Sequence, residues 1–99
     1  MKYPIYAIRD FKTGFLTPTV EPNVHSAVRN FEHACLRSDS LFFTHPSDYA
    51  LFLIGEYDTD SGVIASVTPV EEVITASQAI ESALAHGYRS DGGVSDAGR

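Results

Sequence analysis

The sequence has no tryptophan, one methionine, one cysteine and only seven lysine and arginine residues in 99. A single thiol, Cys35, excludes an intramolecular disulfide, and no set of Cys and His stands at zinc spacing. The longest unbroken apolar run, Ala50–Ile54, falls far short of the ~20 residues that a membrane span needs. The N-terminus MKYPIYAIRD lacks the long apolar core of a secretory signal, so a soluble intracellular chain is expected. There is no Gly-rich phosphate loop and no nucleophile elbow, and none of the many serines is framed by a base. No catalytic residue, metal ligand or cofactor is therefore nominated, and an enzyme is not expected.

What the chain does have is acid, unevenly placed. Its formal net charge is −6. Residues 1–37 hold five bases (Lys2, Arg9, Lys12, Arg29, Arg37) and three acids (Asp10, Glu21, Glu32), net +2. Residues 38–99 hold two bases and ten acids, net −8. Acid keeps a small domain soluble and repels a phosphate backbone. Any nucleic-acid contact is thus expected from the N-terminal half, weak and salt-sensitive.

A chain of this length forms one domain and buries roughly 60–70% of the surface its unfolded form exposes, enough for a core without staples. KYPIYAIRD alternates aromatic and β-branched residues and reads as a strand, with Pro4 suiting a strand end or an edge. Lys12-Thr13-Gly14 supplies a turn. Phe15–Val20 reads as the returning strand, and Pro18 inside it makes that strand short, bulged or at the edge of the sheet. Asn23 is a good N-cap, and Val24, Ala27, Val28, Phe31, Ala34 and Cys35 follow helical spacing up to about Arg37. Cys35 on that stripe reads as a small buried hydrophobe. Ser38–Pro46 reads as irregular, anchored by Leu41, Phe42 and Phe43. Tyr49–Tyr57 is apolar on both faces, so it is a central strand or is paired against a second subunit.

Asp58-Thr59-Asp60-Ser61-Gly62 has hairpin chemistry and leads to a strand over Val63–Val67. Thr68, Pro69 and Glu71 then resemble a capping box. Val73, Ser77, Ile80 and Leu84, flanked by Ala76 and Ala83, give helical spacing up to a stop at Gly87. The β-branched run Val73-Ile74-Thr75 is the feature that would keep the start of this segment extended. The Gly/Ser/Asp-rich residues 88–99 read as a flexible tail after a single domain over residues 1–87. The expected fold is α+β: an antiparallel sheet of about four strands in ββαββ order, one amphipathic helix packed on it, and a C-terminal helix. The two-faced strand and the edge strand point to a homodimer.

Two constellations invite a metal reading, and neither has the spacing. An EF-hand needs Gly at loop position six and an acid at twelve. Counted from Asp58, Gly62 is fifth and Pro69 twelfth. His25 and His33 stand eight apart, about 12 Å along a helix, too far to share one ion. With Arg29 between them they read as a solvated face, or as a modest phosphate-contacting one together with Arg37. Tyr3, Tyr6, Phe11 and Phe15 interleave with Lys2, Arg9 and Lys12. That mixture either packs a core and a sheet edge, or holds a single strand with phosphates on the cations and bases on the rings.

Taken together, MKYPIYAIRD, the helix segment SAVRNFEHA and HPSDYALFLIGEYDTDSG resemble the small nonstructural protein of gokushovirus-type microviruses, phages with single-stranded DNA genomes. The shared pattern is the Arg9-Asp10 pair ending a strand, then Ala27, Arg29 and Phe31 on a helix. A His-Pro turn, Asp48-Tyr49, a Leu-Phe strand, Gly55 and the turn ending at Gly62 follow. The likeness covers about residues 1–75. It implies nonstructural work in the cytoplasm of the infected bacterium, outside the virion, in DNA binding or in the switch to single-stranded genome synthesis. It supplies no catalytic residues. The residues nominated for nucleic acid are Lys2, Arg9, Lys12, Arg29 and Arg37, with Arg9 and Arg29 foremost. The expected partners are single-stranded DNA, or a phage or host replication or assembly protein bound by an acidic adaptor that touches no DNA.

Overall fold

A computed structural model describes residues 1–87; the expected tail over 88–99 lies outside the described residues. The chain runs β1 (Lys2–Asp10), β2 (Gly14–Phe15), β3 (Thr19–Val20), α1 (Val24–Cys35), α2 (Leu41–Thr44), a single 3-10 turn (Pro46–Asp48), β4 (Tyr49–Asp58), β5 (Ile64–Thr75) and α3 (Ala76–Ala85). The fold is α+β, as expected. All pairing is antiparallel, in the order β2-β1-β4-β5, with β3 also on the outer edge of β1.

β1 and β4 form the spine. They pair from Lys2 against Asp58 to Asp10 against Tyr49, and a bulge at Ile54 absorbs one extra residue. The β1 side chains alternate, so Tyr6 and Ile8 face the helices while Ala7 and Arg9 face away. The expected returning strand is split in two. Leu16 N–H still reaches Ile8 O at 2.8 Å and Glu21 N–H reaches Pro4 O at 3.1 Å. Between them Pro18 has no N–H to give, and the strap leaves the ladder.

The helix α1 forms where the apolar stripe and the cap predict. Asn23 Oδ1 accepts from Ser26 N–H at 2.9 Å. Ala27, Phe31 and Cys35 are buried, Cys35 completely, whereas Val24 in the first turn is exposed. The core joins these three to Tyr6, Tyr49, Leu51, Ala76 and Ala79. Ser38–Pro46 is more ordered than its sequence suggests. The Ser40 hydroxyl accepts from Phe43 N–H and caps α2, which sets Phe42 edge-on against Tyr49 with ring centroids 4.7 Å apart.

The largest departure follows β4. No helix starts at Thr68. β5 runs on to Thr75, because Ile74 and Thr75 complete the ladder against Leu51 and Ala50, and Val73 and Ile74 pack on the core. The β-branched run thus outweighs the capping-box signal. The capping box lies seven residues later: Thr75 Oγ1 accepts from Gln78 N–H and Gln78 Oε1 from Thr75 N–H, both at 3.0 Å. With the helix starting at Ala76, its buried stripe is Ala76, Ala79 and Ala83, and Leu84 faces solvent.

β4 and β5 also exchange register. Gly55 pairs with Ser66 and Leu53 with Glu71, so β5 takes five steps where β4 takes two. Gly55 is required here by close approach: a Cβ on it would lie 2.8 Å from Ala65 O. Replacing Gly55 with Ala should therefore destabilise the fold by about 1–3 kcal/mol, read as a lower urea midpoint with an unchanged slope. A midpoint equal to that of the parent protein would show that the β4–β5 contact yields without strain.

Candidate nucleic-acid interface

The five nominated cations do not share one surface. Lys2 and Arg9 sit at opposite ends of β1 and on opposite faces of it, separated by roughly 20 Å of strand. Lys2 pairs loosely with Glu56 at 3.9 Å, and Arg37 with Asp39 at 3.5 Å. Lys12 lies in the β1–β2 turn, where its N–H donates to Asp10 Oδ1 at 2.9 Å. That bond, first among several, holds the Asp10 carboxyl below its ordinary range. Arg29 lies in the helical layer, lining an open cleft between α1 and α3 with His33 and His86.

One of the five is built into a constellation. The Arg9 guanidinium carbon stands 5.2 Å from the Phe11 ring centroid and 5.4 Å from that of Phe15. Both rings meet Phe52 edge-on, with centroids 6.3 and 5.5 Å from it. The register explains this. Arg9 pairs across the ladder with Phe15 on β2 and with Ala50 on β4, and Phe52 stands one rung along on the same face. Ala50 and Ala7 supply a floor too small to displace the rings. Phe52 is 8% exposed, whereas Phe11 and Phe15 are 46% and 45% exposed.

The result is a cation held between half-exposed aromatic rings on the face of the sheet opposite the helices. Arg9 Nε is buried without a hydrogen-bond partner. The two ring contacts offset that cost, since a guanidinium over aromatic faces gains about 0.5–2 kcal/mol. Among the described residues no carboxylate forms an ion pair with Arg9. Of the four interleaved aromatics, Phe11 and Phe15 join this plate, Tyr6 turns into the core, and Tyr3 lies on the same face at the far end of β1. Phe52 was legible in the sequence only as strand core; it is the ring that aligns the other two.

The acidic pair Asp58 and Asp60 has structural work. Asp58 Oδ1 accepts from Asp60 N–H at 2.9 Å, and Asp60 carries the Met1 amine at 3.0 Å. Gly62, at φ +75, closes that turn. Among the described residues no group of three His, Cys, Asp or Glu is placed to hold a metal ion. No helix among them is long and apolar enough to cross a membrane.

The model of the Phage ORF5 protein family matches residues 3–79, which take in β1 from its second residue, the other four strands, α1 and the whole aromatic plate. The chain belongs to the Phage ORF5 protein family. Neither the comparison with curated proteins nor that with solved structures finds a match. The phage part of the resemblance is therefore shown, and the match leaves Lys2, of the five nominated cations, outside its range.

The one cysteine of this Phage ORF5 protein is chemically quiet. Burial, and secondarily the charge of Glu32, push the Cys35 thiol up to about 12. Since the thiolate is the reactive form, Cys35 should resist a disulfide reagent at pH 8 in the folded chain and react within seconds in denaturant. Fast labelling of the native protein would place Cys35 in a far more open environment.

Proposed function

We propose that this Phage ORF5 protein is a nonstructural, non-catalytic protein that binds single-stranded nucleic acid weakly during replication or synthesis of a phage single-stranded DNA genome, in the cytoplasm of the infected bacterium. The observation that carries the reading is Arg9 seated between the half-exposed rings of Phe11 and Phe15. Stacking platforms of this kind hold single strands without reading sequence, because every base has a π-face. A cation fixed beside the rings meets the phosphate linking two stacked bases. The resemblance to microvirus nonstructural proteins supports the same role. Arg29, Arg37, Lys12 and Lys2 then add long-range attraction from separate surfaces rather than one contact stripe.

A second reading rests on the charge asymmetry. Exposed Glu71 and Glu72 sit on β5, the strand at the other margin of the sheet, within the half of the chain that carries net −8. An acidic adaptor would present that margin to a basic patch on a phage or host replication protein.

Fluorescence anisotropy of a labelled single strand of about 30 nucleotides separates the two. One direct phosphate contact, at Arg9, predicts that affinity falls by about two- to threefold between roughly 50 and 200 mM salt. Arg9→Ala or Phe15→Ala should weaken binding by about fivefold or more. A flat titration at both salts removes direct nucleic-acid binding and leaves the adaptor reading, which capture of a phage replication protein by the acidic β5 margin would then test.

A further inference from the structure

A second feature lies on the helix side of the sheet and belongs to none of the cations above. Where Pro18 lifts the strap off β1, a cleft of about 160 Å³ opens between the strap and α1. Its walls are apolar: Ile8 and Leu51 from the sheet, Phe31 and Ala34 from α1. Its mouth is polar. The Asn30 amide donates to Glu21 Oε1 at 3.2 Å, and the Thr19 hydroxyl donates to Glu21 Oε2 at 3.3 Å. Thr17 stands on the strap beside them, and the buried Tyr6 ring lines the interior. The raised Tyr6 pKa, owed first to burial and then to the Glu21 charge, agrees with the phenol lying near that carboxylate.

Size and polarity select a ligand. An apolar cavity of about 150 Å³ accepts a benzene ring, so this cleft matches one six-membered ring better than the two fused rings of a purine. Glu21 offers only acceptors, and the Asn30 amide oxygen adds another. They suit an exocyclic amine, the contact by which carboxylates read cytosine N4. The Thr17 and Tyr6 hydroxyls can donate to the ring nitrogen and carbonyl that follow on the same edge of cytosine. Thymine would set its O4 against the Glu21 carboxylate and lose that contact.

We infer that the cleft between the Leu16–Glu21 strap and α1 is a binding slot for a single unstacked cytosine base. In the context of a strand, this rests on the nucleic-acid reading above, which the slot converts from indifferent stacking into a preference for cytosine.

The test compares labelled oligo-dC, oligo-dT and oligo-dA of about 12 nucleotides, and follows the methyl NMR signals of Ala27, Ala34 and Leu51 during titration with free deoxycytidine or thymidine. Oligo-dC should bind about fivefold or more tighter than the other two. Glu21→Gln, or Ala34→Leu filling the slot, should erase that difference, and deoxycytidine alone should shift the three methyl signals. Equal affinity for all three oligonucleotides with unmoved methyl signals overturns the slot and leaves the Arg9 plate standing. Methyl shifts with deoxycytidine but no oligonucleotide binding would keep the slot and remove the strand-binding reading. Silence in every arm removes both.

Discussion

The antiparallel pairing of β1 with β4 is the constraint on which the rest depends. It joins the first ten residues to the middle of the chain, and every other element is referred to it. β5 pairs only with β4, the strap and β2 pair only with β1, and the helices lie on the one face where Tyr6, Ile8, Tyr49 and Leu51 project. Because side chains alternate along a strand, the same pairing sorts β1 into a core set and a set of opposite orientation. Arg9 faces away from the helices for that reason, with Phe15 directly across the ladder and Phe52 two residues along β4 from its partner Ala50.

The charge distribution takes on a different meaning once it is mapped on this frame. The net acidity is carried by surface carboxylates spread over loops, β5 and α3, whereas Arg9 is set into an aromatic plate with none of them in an ion pair to it. Screening at physiological salt acts over about 8 Å, so under the proposed function most carboxylates would repel a strand mainly during its approach, while Glu72, the ladder partner of Phe52, would oppose it beside the plate itself. Contact made at the plate is short-ranged and depends on ring area and on one cation. The proposed strand binding would therefore be slow in encounter and salt-dependent, with the Arg9 plate offsetting local repulsion from Glu72.

Much of the architecture was legible in the sequence because local signals agreed with tertiary ones. The α1 stripe, its Asn23 cap, the hairpin turn at Gly62 and the two-faced β4 each follow from periodicity or turn chemistry acting alone. Thr68-Pro69-Val70-Glu71 was misleading because two signals competed there. A capping-box pattern is worth about a kilocalorie, and it lost to ladder pairing and to burial of Val73 and Ile74, which depend on a strand some twenty residues away. The site divided in the same way. Arg9 beside aromatic residues was visible, but the role of Phe52 was not, since nothing local distinguishes a core ring from one that aligns two others across a sheet. The slot beside Asn30 had no sequence signal beyond Pro18, because its walls come from three separate segments. The cations were nominated by charge, by neighbouring aromatics and by the resemblance, none of which tells which face of the fold each one reaches.

The register exchange in β5 gives this sheet a place where chain length is free to vary. Ser66 is locked to Gly55 and Glu71 to Leu53, while the residues between them follow no rung of β4. Adding or removing a residue within 67–70 alters the size of that excursion and leaves the pairing on both sides intact, whereas the same change within 71–75 would disturb the bulge at Val73 that lets the adjacent Val73 and Ile74 both pack on the core. Among related chains, insertions and deletions in the second half of the hairpin should therefore gather at 67–70, and the spacing from Glu71 to the helix cap at Thr75 should stay fixed.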